Sequence, residues 1–160
     1  MKNLNDEGIE LLDAEKINEF NTLRIHNLIF KPNLDKQDFS GKNLSLAFLN
    51  GAHCNKTNFS NCRLKKTNLV QAELNNSNFQ NSNLTDALFM YAEMNECLLT
   101  NCNMKRSNFM WANLQNSDLS NSNLANTIFI EANLRHSILH NLNKKNAYIY
   151  LAKLEFTEWK

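Results

Sequence analysis

The chain has 160 residues, 42% hydrophobic and 21% charged, with 17 Lys/Arg against 16 Asp/Glu for a formal net charge of +1. One domain is expected at this length, and the near-neutral balance announces no strongly charged partner. No apolar run approaches the ~20 residues of a membrane span, so no membrane association is expected.

The segment Met1 to Glu7 lacks the apolar stretch of a signal peptide, which makes cytoplasmic residence the default expectation. Residues 1–31 form a leader outside the pattern that follows. Asp13 is placed to N-cap a helix over about 14–26, with Ile17, Phe20 and Leu23 or Arg24 on one side. Pro32 ends that helix.

From Leu34 to Leu139 every fifth residue is apolar, a series of 22 positions that includes Leu49, Cys54, Phe59, Met94, Phe109 and Phe129. Two residues before each, from Ala47 to Ser137, stands only Ala, Ser, Thr or Cys. A period of five matches neither the 3.6 of a helix nor the 2 of a strand. It marks a repeat architecture, in which one unit cannot bury its own large side chain and units must stack on a shared axis. The other three positions are mostly Asn, Ser, Asp, Lys and Gln, with three Gly and one Pro in the whole chain. Turns in this repeat therefore use Asn, Ser and Asp, which hydrogen-bond their own backbone.

Thr67-Asn68-Leu69, Ala72-Glu73-Leu74, Ser77-Asn78-Phe79, Ala112-Asn113-Leu114, Ser117-Asp118-Leu119 and Ala132-Asn133-Leu134 resemble the A(D/N)LXX motif of pentapeptide-repeat proteins. The resemblance covers roughly residues 32–157. It implies an all-β repeat: a right-handed quadrilateral parallel β-helix with a short N-terminal helix cap. Four units and about 20 residues make each coil, and coils stack at about 4.8 Å. The 22 units then give a rod of roughly five and a half coils. The run Phe20-Asn21-Thr22-Leu23-Arg24, with Asn27 and Lys31-Pro32-Asn33-Leu34, resembles the W-N-x-W-R leader of bacterial members, with Phe20 and Leu23 at the aromatic positions. A cap is required physically, because an open β-helix end exposes core and unpaired strand edges.

The organisation is therefore a leader with capping helix at 1–31, a repeat domain at 32–143, and a last coil or C-terminal cap at 144–160. Lys144 falls where a core residue is due, and reads as a local distortion. Tyr148, Tyr150, Phe156 and Trp159 make the terminal segment unusually apolar.

Twenty-residue stacking assembles one apolar outer face over the core residues Leu49 to Ile149. Phe48, Leu88, Ile128 and Tyr148 share one column. Val70, Met90, Met110, Ile130 and Tyr150 share the next, and Tyr91 and Trp111 a third. A contiguous apolar strip on a polar rod marks an interaction site. Three occupants remain open: the leader helix folded back along it, a second copy in a homodimer, or an unknown protein partner. Elsewhere Asn61, Asn81, Asn101, Asn121 and Asn141 stack as an expected amide ladder. Arg63, Lys65, Lys66, Lys105 and Arg106 gather around Asp86, a solvated face for which nucleic acid is an unlikely partner.

Catalytic chemistry is not legible. Cys62, Cys97 and Cys102 take inward small positions and Cys54 a core position, with no spacing for a metal site. Neither a phosphate loop nor a catalytic triad stands out, and a solid core leaves no interior pocket. An enzyme, a cofactor and a metal are all unexpected. The first expectation is a non-enzymatic protein–protein interaction scaffold in a bacterial cytoplasm. Family resemblance adds two alternatives: a DNA-mimic modulator of DNA gyrase conferring inhibitor resistance, and a secreted bacterial effector. Mimicry implies an acidic rod, whereas residues 33–143 hold eight Asp/Glu and nine Lys/Arg.

Overall fold

A computed structural model describes residues 3–159, apart from the side chain of Trp159. The expected contribution of the Trp159 ring to a terminal cap lies outside the described residues, as do Met1, Lys2 and Lys160.

The leader holds two helices where the sequence reading expects one. Helix α1 spans Leu4–Asp13 and helix α2 spans Ile17–His26. Asn3 caps α1, its side-chain oxygen accepting from the Asp6 N–H at 2.9 Å, and Asp6 and Glu7 in the first turn suit the helix dipole. Asp13 is therefore the last residue of α1 and not an N-cap. The break falls at Glu15, which adopts φ 55. Helix α2 starts after Lys16 without a side-chain cap. Gly8 lies where the helices meet, and a Cβ there would be in ordinary contact with the Phe20 ring at 3.4 Å.

After Pro32 the chain winds into coils of 20 residues. Parallel bridges join Asn33 to His53, Asp38 to Asn58, Asn43 to Arg63 and Phe48 to Asn68, and the 20-residue offset recurs up to Asn133 and Lys153. Strand β1 (Ile138–Leu139) pairs in the same register with β2 (Glu158–Trp159). All the apolar positions from Leu34 to Leu139 are buried.

The hydrogen bonding of one unit explains the period. The N–H groups of Leu69 and Gln71 donate forward to the carbonyls of Leu88 and Met90 on the next coil, at 2.8 and 2.9 Å. The Ala72 N–H turns back to Leu69 O at 3.1 Å, and the Glu73 N–H reaches the previous coil at Ala52 O, 2.9 Å. The Val70 N–H goes to the side-chain oxygen of Asn68 at 3.1 Å. Five donors thus find five acceptors, one of them supplied by the Asn of the motif.

The small inward position does more than avoid a clash. Thr57, Ser77 and Ser82 each donate a hydroxyl to the carbonyl 23 residues earlier, at 2.7, 2.7 and 2.6 Å. The thiols of Cys62, Cys97 and Cys102 do the same. Burial pushes those thiols up, to about 11 for Cys62 and about 12 for Cys97 and Cys102, so they stay protonated and inert. Ser82 also accepts from the Cys62 N–H at 3.0 Å. Ser82→Ala is expected to cost about 0.5–1.5 kcal/mol, because it removes both hydroxyl bonds while the Cys62 N–H and Phe59 O still meet each other at 3.3 Å. Chemical denaturation measures this, and an unchanged midpoint would show that water replaces the hydroxyl.

The second residue after each core position is left-handed, with φ near 60 from Lys36 to Phe156. Asn tolerates that region best among residues with a side chain. This corrects the expected amide ladder. Asn61, Asn81 and Asn101 occupy the column because of their backbone conformation, and the rung found there joins Asn141 to Asn121 at 3.2 Å. A ladder does form one column away on another face, where Asn75 and Asn95 donate to the side-chain oxygens of Asn55 and Asn75 at 3.2 and 2.9 Å.

Lys144 is likewise not a distortion. The turn from Ala147 N–H to Lys144 O is kept at 3.0 Å, and Asn146 holds φ 56. In the last described coil no further coil stacks over this position, so the lysine is exposed and its charge stays solvated.

The two helices cover the first coil by supplying the partners that a preceding coil would. Asn5 accepts from the Asn33 N–H at 2.6 Å and donates to Asn33 O at 3.0 Å. Asn21 accepts from the Phe48 N–H at 2.8 Å and donates to Leu46 O at 2.9 Å. Arg24 donates from Nε to Phe48 O at 3.0 Å and from a terminal nitrogen to Asn50 O at 2.7 Å. Backward-facing edge groups at Asn33, Leu46, Phe48 and Asn50 are thereby paired.

Candidate interaction face

The apolar columns assemble as the 20-residue stacking requires. Bridges join Phe48 to Asn68, Asn68 to Leu88, Leu88 to Asn108, Asn108 to Ile128 and Ile128 to Tyr148. Beside them, Val70, Met90, Met110 and Ile130 are half-buried, as are Leu88 and Ile128. Phe48, Tyr148 and Tyr150 are exposed. The cap does not fold back along this face, because it is spent on the first coil, where Arg24 and Asn21 hold the backbone around Phe48.

Tyr91 and Trp111 are the most informative members. Their rings stack at 4.7 Å and 14° on the outside of the rod. They are 51% and 40% exposed, and each sits at φ 59. A bulky side chain in the left-handed region costs roughly 1–2 kcal/mol, and an exposed ring gains little from burial. Asn fills the equivalent position in many other units. Lys, Gln, Glu, Arg, Leu and Phe fill it in others, so what sets this pair apart is two large rings stacked and half-exposed within the apolar columns.

Sequence periodicity missed the collar beside this face. Ile25, Leu28 and Ile29 are 56%, 84% and 97% exposed. Ile25 and Leu28 join Arg24, Phe48, Asn50 and Asn68 around an open groove of about 300 Å³. The signal was present as consecutive apolar residues before Pro32, but these lie outside the repeat, where no register assigns a direction.

The other faces are occupied by polar pairing. Arg106 grips Asp86 with two bonds of 2.6 and 2.9 Å, and the guanidinium holds that carboxyl below its usual range. On the opposite side the His53 ring meets Glu73 at 2.9 Å and lowers its carboxyl. Glu73, Glu93 and Glu96 share the middle of that side, with Lys36 and Lys56 toward one end and Arg135 and Lys153 toward the other. Among the described residues no cluster of His, Cys, Asp or Glu is arranged to hold a metal, and no helix is long and apolar enough to cross a membrane.

Comparison with known proteins matches the family model for pentapeptide repeats, in eight copies, to residues 33–65, 67–106 and 107–141. No curated protein matches the chain. Among solved structures, the pentapeptide repeat protein Rfr23 from the cyanobacterium Cyanothece 51142 is 23% identical, with 80% of this chain and 88% of that one covered and a TM-score of 0.63. The pentapeptide repeat protein alr5209 from Nostoc Pcc 7120 is 18% identical, with 64% and 84% covered and a TM-score of 0.57. These two support the fold alone. QnrB1, a plasmid-mediated fluoroquinolone resistance protein, is 18% identical over 82% and 80% of the chains, but its TM-score of 0.40 carries no argument.

Proposed function

Because this chain belongs to the pentapeptide-repeat family, we propose that it is a non-enzymatic interaction scaffold, a rigid right-handed quadrilateral β-helix that binds protein through its apolar face. The stacked pair Tyr91 and Trp111 carries this reading. Both rings stack on each other in the middle of the apolar columns and remain half in water, an arrangement that partner contact would desolvate. Aromatic residues and Met are also enriched in interface cores. Mimicry of DNA gains no support, since the nine Lys/Arg of residues 33–143 balance their eight Asp/Glu.

Replacing the pair by the residue the repeat prefers tests the proposal. Tyr91→Asn/Trp111→Asn loses a stacking worth about 0.5–1.5 kcal/mol and relieves backbone strain of similar size. The variant should therefore keep the stability of the wild type to within about 1 kcal/mol, measured by thermal unfolding. It should also lose the protein, second copy or otherwise, that associates stoichiometrically with the tagged wild-type chain. Equal recovery by both would place the interface elsewhere.

A further inference from the structure

We propose that the occupant of the apolar face is a second copy of this chain, packed antiparallel about a two-fold axis at the Tyr91–Trp111 stack. This rests on the reading of that face as an interface, and adds the partner and its orientation.

Symmetry within the face is the first argument. Its inward positions run at 20-residue steps from Leu49 to Phe129, all buried, and on to Ile149, which is 44% exposed in the last coil, and the midpoint falls between Phe89 and Phe109. Tyr91, Trp111, Met90 and Met110 lie at that midpoint. In a two-fold interface the central patch meets itself, and binding energy concentrates near the centre. A two-fold in the interface plane, perpendicular to the rod, keeps each column opposite itself and reverses the coil order. Met90 then faces the partner copy's Met110, and Val70 the partner's Ile130.

The two ends of the face complement each other in shape. At one end lies the groove of about 300 Å³ edged by Ile25, Leu28 and Phe48. At the other end Tyr148, Tyr150 and Leu151 are 52%, 72% and 61% exposed. Antiparallel packing brings these protruding side chains of one copy to the groove of the other. Leu151 then lies opposite the partner's Gly51, where the aliphatic chain of Lys31 passes 3.5 Å from the position a Cβ would take.

Charge separates the two orientations. Glu131 is the one formally charged residue among the outward positions of this face. Such depletion of charge is typical of homodimer interfaces. In the antiparallel arrangement Glu131 meets the partner's Gln71, whose amide can donate to a carboxylate. In the parallel arrangement the columns reverse, and the same carboxylate is set against the partner's Ile128, with a desolvation cost and no donor.

The test combines mass with cross-linking. By light scattering the wild type should have twice the 18.5 kDa chain mass, and Met110→Lys should be a folded monomer by circular dichroism. Asn50→Cys and Tyr150→Cys stand opposite each other in the antiparallel dimer, and the four native thiols are buried. A short bismaleimide should therefore join the two variants when mixed, and neither variant to itself. Self-cross-linking of Asn50→Cys alone would mean parallel packing and overturn the proposal. A wild-type monomer at the highest soluble concentration would overturn the second copy as occupant, while the Tyr91/Trp111 test would still decide whether the face binds another protein. A dimer that survives Met110→Lys and resists cross-linking would place the homotypic contact on another surface and overturn the proposal, again leaving the Tyr91/Trp111 test to decide whether the face binds another protein.

Discussion

Phe109→Asp is expected to leave no folded rod. The Phe109 ring stacks on Phe89 at 4.6 Å and on Phe129 at 5.2 Å, and none of the side chain reaches solvent. Removing such a ring costs about 3–5 kcal/mol. An uncompensated carboxylate in the same place costs several kcal/mol more. The sum approaches the whole stability of an ordinary domain, about 5–15 kcal/mol. In a stacked array each coil depends on its neighbours, so a failure at mid-rod separates the two halves. Circular dichroism and sedimentation should show lost β signal or aggregation. Phe109→Leu is the control: Leu is the commonest residue at this phase, and the variant should fold at a cost near 1–2 kcal/mol. A well-folded Phe109→Asp would mean that position 109 faces outward and that the inward register is misassigned.

Arg24→Ala should detach the cap while leaving the middle of the rod intact. Arg24 is 7% exposed, and its guanidinium holds two carbonyls of the first coil while lying 5.9 Å from the Phe30 ring. Burial lowers its pKa from a value near the top of the scale, and the group remains a cation. Two acceptors lose a charged donor on substitution, and each such loss costs about 1–3 kcal/mol. The folded variant no longer bears the cost of desolvating the guanidinium, which offsets part of this, for a net loss of about 2–4 kcal/mol. Hydrogen exchange should show faster exchange in α1, α2 and the first coil, with protection retained around Phe79 to Phe109. Arg24→Lys should behave like the Ala variant, because one ammonium cannot span both carbonyls as the planar fork does. Unchanged protection in the leader would mean that Asn5 and Asn21 hold the cap without it.

Both predictions draw on features that differ in how far a reader of the sequence could go. Phe109 was assignable to the core because a five-residue period repeats the same local geometry, and each copy reinforces the register of the others. The same regularity brought the columns containing Met90, Tyr91, Met110 and Trp111 onto one side. Arg24 could be placed on a helix, but its two acceptors could not be named, since they lie 24 and 26 residues away and the contact occurs once. The second helix, the exposed collar at Leu28 and Ile29, and the solvated Lys144 escaped for the same reason. Each depends on where the stack begins or has no coil over it.

The meaning of the Asn columns shows a further limit. Spacing put Asn61, Asn81 and Asn101 in line, and stacked amides suggested a side-chain ladder. Their backbone conformation, visible only in three dimensions, gives a different cause: the turn needs a residue that tolerates positive φ. Seen that way, Tyr91 and Trp111 share a left-handed turn position with Lys, Glu, Arg and Leu elsewhere, and stand out by being large, stacked and members of an apolar strip. Amino-acid order alone determined which side chains enter the core and which share a face, because burial and turn chemistry recur every five residues. Tertiary structure decided how the rod is capped, which face stays open, and which exposed rings stack on one another, because those outcomes depend on contacts that no repeat contains.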